Sequence, residues 1–245
     1  EDKGAAFEWF GKAAEKGYAA AQLSMARMLA NGDSVQRNDS EAYKWARKAA
    51  EQGYTDGENY LGVLLQDGRG VAKNASEAAF WYEKAARKGM AVAQYNLGYL
   101  YRQGQGVNKN YVQALHWLNK ASERKHAMAM NILGLMSENG EGTQKDIRAA
   151  MDWYAKSADL GFKYAQSNLA NICYGGRREV KKNYNMAAVL YRKAAEQGLA
   201  HAQRQLGIML LKGHGVQKNS QDGISWLAKA AAQGDEDAQK RLRRM

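Results

Sequence analysis

Trp45-Ala-Arg-Lys-Ala-Ala50 returns 36 residues later as Trp81-Tyr-Glu-Lys-Ala-Ala86, and again as Trp117-Leu-Asn-Lys-Ala-Ser122. Followed outward, the pattern Trp-x-x-Lys-small-small begins at Trp9, Trp45, Trp81, Trp117, Trp153, Leu190 and Trp226, in steps of 36, 36, 36, 36, 37 and 36 residues. A period held through seven copies marks a repeat architecture in which every unit is one supersecondary element. The single 37-residue step falls at Gly175-Gly-Arg-Arg-Glu-Val180, where a Gly-x-Gly-Val turn has gained a residue and lost its second glycine.

Each unit reads as two helices. Gly17, Gly53, Gly89, Gly161, Gly198 and Gly234 follow the Lys-small-small run, where a helix end needs a left-handed residue. The next helix, A, carries small-x-x-x-Leu-Gly, as in Ala93, Leu97 and Gly98; apolar residues at i, i+4 and i+7 form one face. Turns follow at Gly68–Val71, Gly104–Val107 and Gly213–Val216, with Gly140–Thr143 a near match. Asn38, Asn74, Asn110, Asp146, Asn183 and Asn219 then stand at the N-cap of helix B, which bears the Trp. Gly62, Gly98, Gly134 and Gly207 share a helix A column with Ala26 and Ala170 and predict close helix approach, since glycine inside a helix costs about 0.5–1 kcal/mol. The Trp column is expected to supply each unit's large buried anchor. One hairpin cannot bury both faces alone, so the units are expected to stack as an all-α solenoid. The predicted organisation is a half unit 1–17, six full units at about 18–53, 54–89, 90–125, 126–161, 162–198 and 199–234, and a half unit 235–245.

Composition agrees. The 245 residues contain no proline and 25 glycines, as expected of helices punctuated by glycine. An apolar share of 45% is too high for a disordered chain, and one cysteine cannot form an internal disulfide. No stretch approaches the roughly 18 apolar residues of a membrane-spanning helix. Cys173 fits a reducing compartment, although single-cysteine proteins also occur in oxidising ones. The chain opens on Glu1 rather than Met, as expected of a fragment or processed chain.

Lys48-Ala-Ala-Glu-Gln-Gly53, the Leu-Gly pairs and the Gly-x-Gly-Val turns resemble Sel1-like repeats, relatives of the tetratricopeptide repeat. The resemblance runs from about Ala5 to about Arg243, with local departures at Ser34, Lys125 and Leu190. It implies a right-handed α-solenoid whose A helices line the concave side. It also implies a non-enzymatic adaptor for a protein or peptide, of a kind that in bacteria is associated with the cell envelope, secretion or host contact, and in eukaryotes with membrane-protein quality control. The periplasm or envelope is the compartment this favours, with the cytoplasm as alternative; oligomeric state stays open.

Opposite the buried Ala93, Leu97 and Leu100, helix A of the third complete unit presents Val92, Tyr95, Tyr99 and Arg102, flanked by Asn96. The same columns hold Asn59 and Tyr60 one unit earlier, Asn131 one unit later, and Asn168, Asn171 and Tyr174 beyond that, with Ser167 beside them. Asparagine both donates to and accepts from peptide amides, tyrosine offers flat amphipathic area, and Arg102 offers a planar fork for a carboxylate. These residues are the expected partner-binding surface.

No cofactor motif or metal-ligand spacing appears. His116, His126, His201 and His214 fall in separate units at different columns, and His126 is expected to pack. Some cysteine-rich proteins of the resembled family have been linked to β-lactam binding. Ser122-Glu-Arg-Lys125 matches S-x-x-K, but neither S-D-N nor K-T-G occurs, and Ser122 occupies a packing column of alanines. Cys173 reads as a small buried apolar residue. The rival reading is electrostatic. Net charge is +11 with a pI near 9.6, and Arg177-Arg178, Lys181-Lys182 and Lys240–Arg244 form basic clusters. The alternative is thus an electrostatic binder of nucleic acid or of an acidic protein or headgroup surface; against nucleic acid, no two-residue base code recurs at fixed columns.

Overall fold

The computed structural model describes residues 3–33, 35–177 and 179–245, so the departures at Ser34 and Arg178 lie outside the described residues. Fourteen helices are described and no extended strand, only an isolated bridge between Arg177 and Val180. The B helices are α1 (Lys3–Glu15), α3 (Asp39–Glu51), α5 (Ala75–Arg87), α7 (Tyr111–Glu123), α9 (Ile147–Asp159), α11 (Tyr184–Glu196) and α13 (Ser220–Ala232). The A helices are α2 (Ala19–Asn31), α4 (Thr55–Asp67), α6 (Ala91–Gln103), α8 (Ala127–Asn139), α10 (Lys163–Gly175), α12 (Ala200–Lys212) and α14 (Glu236–Leu242). They fall into two compact units, Glu1–Arg124 and Lys125–Met245. In unit 1, α2, α4 and α6 pair with the B helix that follows each; in unit 2, α8, α10 and α12 do the same.

Local chemistry sets the helix ends. The side chains of Asn38, Asn74, Asn110, Asp146, Asn183 and Asn219 each accept a hydrogen bond from the amide three residues on. The same residues close the preceding turn from their own backbone, as Asn74 N–H does on the Leu65 carbonyl at 2.9 Å. Helix B ends on a left-handed glycine in every unit but one: Lys125 takes φ 58° there, at the start of unit 2. Gly70 shows why the turn demands glycine. Its φ is 72°, and a Cβ would fall on the Asp39 carbonyl of the preceding unit's helix B. The turn therefore docks backbone against backbone.

Two expectations about packing need correction. Trp81 and Trp117 are buried, but Trp45, Trp153 and Trp226 are only half-buried and Trp9 is 70% exposed. The deep anchors stand one residue later, at Tyr82, Tyr154 and Tyr191, each at most 1% exposed. The Trp column lies at the flank of helix B, where it holds its lysine: Nζ of Lys48, Lys84, Lys156 and Lys229 sits 4.1–4.6 Å from the ring of Trp45, Trp81, Trp153 and Trp226. Such cation–π pairs contribute about 0.5–1 kcal/mol each at exposed sites. Second, the small column of helix A admits a ring as well as a backbone. A Cβ on Gly62 would lie 2.6 Å from Tyr82 Cε1, whereas Gly207 faces the Gly223 carbonyl at 2.8 Å.

A further ladder joins successive hairpins. Gln22, Gln94, Gln166 and Gln203, all buried, donate to the carbonyls of Ala14, Ala86, Ala158 and Ala195 at the end of the preceding helix B. Gln22, Gln166 and Gln203 then accept from Gln52, Gln197 and Gln233 at 2.7–2.9 Å. In one unit the pair is ionic: Glu58, 1% exposed, accepts from Lys88 at 2.7 Å.

Candidate functional site

In unit 1, Asn59 and Tyr60 project from α4 and Tyr95, Asn96, Tyr99 and Arg102 from α6; all six are half-buried. Ala93, Leu97 and Leu100 occupy the opposite, fully buried side of α6, which is what turns the first set outward. Asn96 Nδ2 donates to Asn59 Oδ1 at 3.2 Å, so the two helices are linked across their presenting edges. The Tyr95 and Tyr99 rings lie 6.3 Å apart, and the Arg27 guanidinium sits 5.7 Å from the Tyr60 ring. Burial raises the phenol pKa of Tyr60 and of Tyr95, so both are neutral donors and acceptors at physiological pH.

Unit 2 uses the corresponding columns differently. Asn131 is 7% exposed and accepts from Asn168 Nδ2 at 3.0 Å; Ser167 is 4% exposed. Neither presents itself as the sequence pattern predicts, although the Asn168–Asn131 bond repeats the Asn96–Asn59 bond of unit 1. Asn171 Oδ1 accepts from the Tyr191 hydroxyl at 2.6 Å and meets His201 Nε2 at 3.1 Å. Tyr174 is half-buried, with its hydroxyl 3.3 Å from His214 Nδ1 and its ring 5.2 Å from that of Tyr184. The unit 2 candidates are thus largely engaged with their own fold.

At Asn171 the reason is a tyrosine that sequence reasoning missed. Tyr82, Tyr154 and Tyr191 cross the hairpin from helix B, and their hydroxyls emerge at the helix A face, on Gln66, Glu138 and Asn171 respectively, at 2.6–2.9 Å. Burial pushes the phenol pKa of Tyr82 and Tyr191 well up. At α7 the equivalent position is Leu118, which packs against Gly98 and brings no hydroxyl to α6. The usable signal was tyrosine against leucine in the column one past the Trp.

His126 half-buries and its Nδ1 accepts from Ala129 N–H at 3.3 Å, capping α8 besides packing. Ser122 is buried with its hydroxyl on the Asn119 carbonyl at 2.7 Å, and Cys173 is 1% exposed with its thiol pKa raised by burial. Among the described residues no helix is long and apolar enough to cross a membrane.

The family profile for the Sel1 repeat matches residues 1–18, 19–54, 55–90, 91–126, 127–162, 163–199 and 200–235. The chain belongs to the Sel1 repeat family. Among solved structures this Sel1 repeat chain is similar to a protective antigen of uropathogenic Escherichia coli with an SLR fold (33% identity, TM-score 0.89), over 96% of this chain and 50% of that one. The chain thus spans about half the length of that relative. It is also similar to a Sel1 repeat protein from Oxalobacter formigenes, at 30% identity and TM-score 0.82 over 88% of each chain. An immunity protein from Pseudomonas aeruginosa, at 20% identity and TM-score 0.56 over 87% of this chain and 81% of that one, shares the fold. No curated protein matches the chain. The fold is all-α, and its neighbours are SLR solenoids. Sel1 repeat proteins generally mediate protein–protein interaction and are generally non-catalytic scaffolds.

Proposed function

We propose that this chain is a non-enzymatic adaptor that captures a peptide or protein partner on the helix A face of unit 1, centred on Tyr95, Asn96, Tyr99 and Arg102. One observation carries the reading. Leu118 stands where Tyr82, Tyr154 and Tyr191 stand in three other hairpins, as Ala46 and Leu227 do in two more, so this column sends no phenol to the α6 face as it does to Gln66, Glu138 and Asn171. The α6 face instead carries two tyrosine rings side by side, an asparagine amide and a guanidinium, the residue types that dominate interface energetics. The amide recognises peptide backbone, the rings supply area at low entropic cost, and Arg102 supplies a fork for a carboxylate.

The test is peptide selection on the immobilised chain, followed by titration of the selected peptides against Tyr95→Ala/Tyr99→Ala. Each ring at an interface core is worth about 2 kcal/mol, so affinity is expected to fall at least about thirtyfold. Circular dichroism and melting temperature should stay close to those of the parent chain. Undiminished affinity with an intact fold refutes the site.

A further inference from the structure

His201, on α12 in unit 2, is wired on both ring nitrogens. The Tyr191 hydroxyl donates to Asn171 Oδ1, which makes that oxygen an acceptor, so His201 Nε2 at 3.1 Å carries the hydrogen. A guanidinium only donates, so His201 Nδ1, 3.1 Å from Arg204 Nη2, is the acceptor. Arg204 in turn donates from Nε to Asp235 Oδ2 at 3.0 Å, with the two side chains 17% and 13% exposed. Asp235 Oδ1 accepts from Ala238 N–H at 2.9 Å and so caps α14. The order Asn171–His201–Arg204–Asp235 ties α10 and α12 to the start of α14.

We propose that His201 is an acid-operated latch on α14: neutral, it seats Arg204 against Asp235; protonated, it releases Arg204 and with it the cap of α14. A proton on Nδ1 would set N–H against N–H across 3.1 Å and place two cations side by side. The groups facing the ring are Arg204 on its own helix, Tyr191 on α11, the uncharged Asn171 on α10, and Asp235 at the start of α14, while Asp237 lies 3.9 Å from Arg204 Nη1. Of these only the two carboxylates favour the imidazolium, and both are already turned to Arg204. Burial first and Arg204 second lower the ring's pKa, with Asp235 opposing. Opening of α14 withdraws Asp235, frees Arg204 to swing aside and lets the ring take its proton, so opening and protonation are linked. What the opening uncovers is apolar: Ile208 and Leu227 share a buried cluster with Ala238, and Leu211 and Leu242 pack on it. The inference stands on this geometry alone and is independent of peptide capture by unit 1.

The experiment is amide hydrogen exchange on the full chain at about pH 7.5 and about pH 5, with protection factors corrected for intrinsic rates, beside a nuclear magnetic resonance titration of the ring. Protection of the α14 amides, Gln239 among them, is expected to fall about tenfold in acid, while the α13 amides hold. In His201→Asn, whose Oδ1 takes the place of Nδ1 as acceptor without titrating, the acid step should vanish. Unchanged protection in the parent chain, or an equal loss in His201→Asn, overturns the latch. Should the variant not fold, the parent's own titration decides: a ring midpoint at or above about 6.5 also overturns it.

Discussion

Replacing Lys88 by Gln should damage the fold far more than the loss of a surface lysine would suggest, and replacing Glu58 by Gln as well should repair it. The Glu58 carboxylate is 1% exposed; Oε1 is bonded to Lys88 Nζ at 2.7 Å, and Oε2 has no hydrogen-bond partner among the described residues. Removing the cation leaves a buried charge with only an amide for company. Breaking a fully buried pair costs about 3–5 kcal/mol; because the Lys88 side chain is 41% exposed, screening brings the expected loss to about 2–3 kcal/mol. In Glu58→Gln/Lys88→Gln the unit acquires the arrangement that Gln22 and Gln52 already have. The new amide would donate to the Ala50 carbonyl as Gln94 does to Ala86, and would accept from residue 88 as Gln22 does from Gln52 at 2.7 Å. Two hydrogen bonds of about 1 kcal/mol each should then return the double variant to within about 1 kcal/mol of the parent. Urea unfolding of all four members of the cycle, followed by circular dichroism, measures the coupling directly. A single variant as stable as the parent, or a double variant no better than the single, refutes the reasoning.

Three further outcomes follow from the same structure. Gly62→Ala should destabilise by about 1–3 kcal/mol despite alanine's better helix propensity, because the new Cβ meets the Tyr82 ring at 2.6 Å; an unchanged melting temperature would contradict this. Tyr82→Phe should cost about 1 kcal/mol by stranding Gln66, whereas Leu118→Val, at a position with no hydroxyl, should follow cavity volume alone; equal urea midpoints for Tyr82→Phe and the parent would dismiss the phenol bond. For His126, burial lowers the pKa, so the folded chain favours the neutral ring that accepts from Ala129 N–H. Its contribution is therefore complete above the ordinary value near 6.5 and shrinks as pH falls below it, until the folded ring itself protonates. His126→Asn, which keeps a capping acceptor, should flatten part of the decline in melting temperature between about pH 7 and pH 5; an unaltered slope counts against it.

The helix ends and docking turns of this chain were legible in its letters, the His126 cap excepted. A left-handed helix end selects glycine, an exposed amide three residues on selects asparagine or aspartate, and a docking turn admits no Cβ at Gly70; each is decided within a few residues. Lys125 was also visible as the departure it proved to be, a non-glycine at φ 58°. What the letters concealed were bonds between columns 16 to 37 residues apart. The pairing of Glu58 with Lys88 spans 30 residues, that of Tyr82 with Gln66 spans 16, and that of Asn131 with Asn168 spans 37. Helical periodicity gives the direction in which a side chain leaves its helix, yet it is silent on what arrives there from the next one. Asn131 is the instructive case: its direction was predicted and its burial was not, and Asn59, with the equivalent bond to Asn96, stays half-buried.

The misassigned anchor has a physical logic that bears on function. Tryptophan, the largest side chain, looks like the obvious core residue, but at Trp45, Trp153 and Trp226 the ring ends partly in solvent, where lysine covers it. Tyrosine one residue later passes over a small residue of helix A and delivers a hydroxyl to the far side. A hairpin with tyrosine in this column therefore commits one polar residue of its helix A face to its own stability, and a hairpin with leucine makes no such bond from this column. Stability and recognition compete for the same positions on helix A, and the residue on helix B decides between them. Leu118→Tyr makes the point testable: a phenol arriving behind α6 should engage the Arg102 position and weaken peptide capture while leaving helix content intact, and unimpaired capture would show that the two roles are separable.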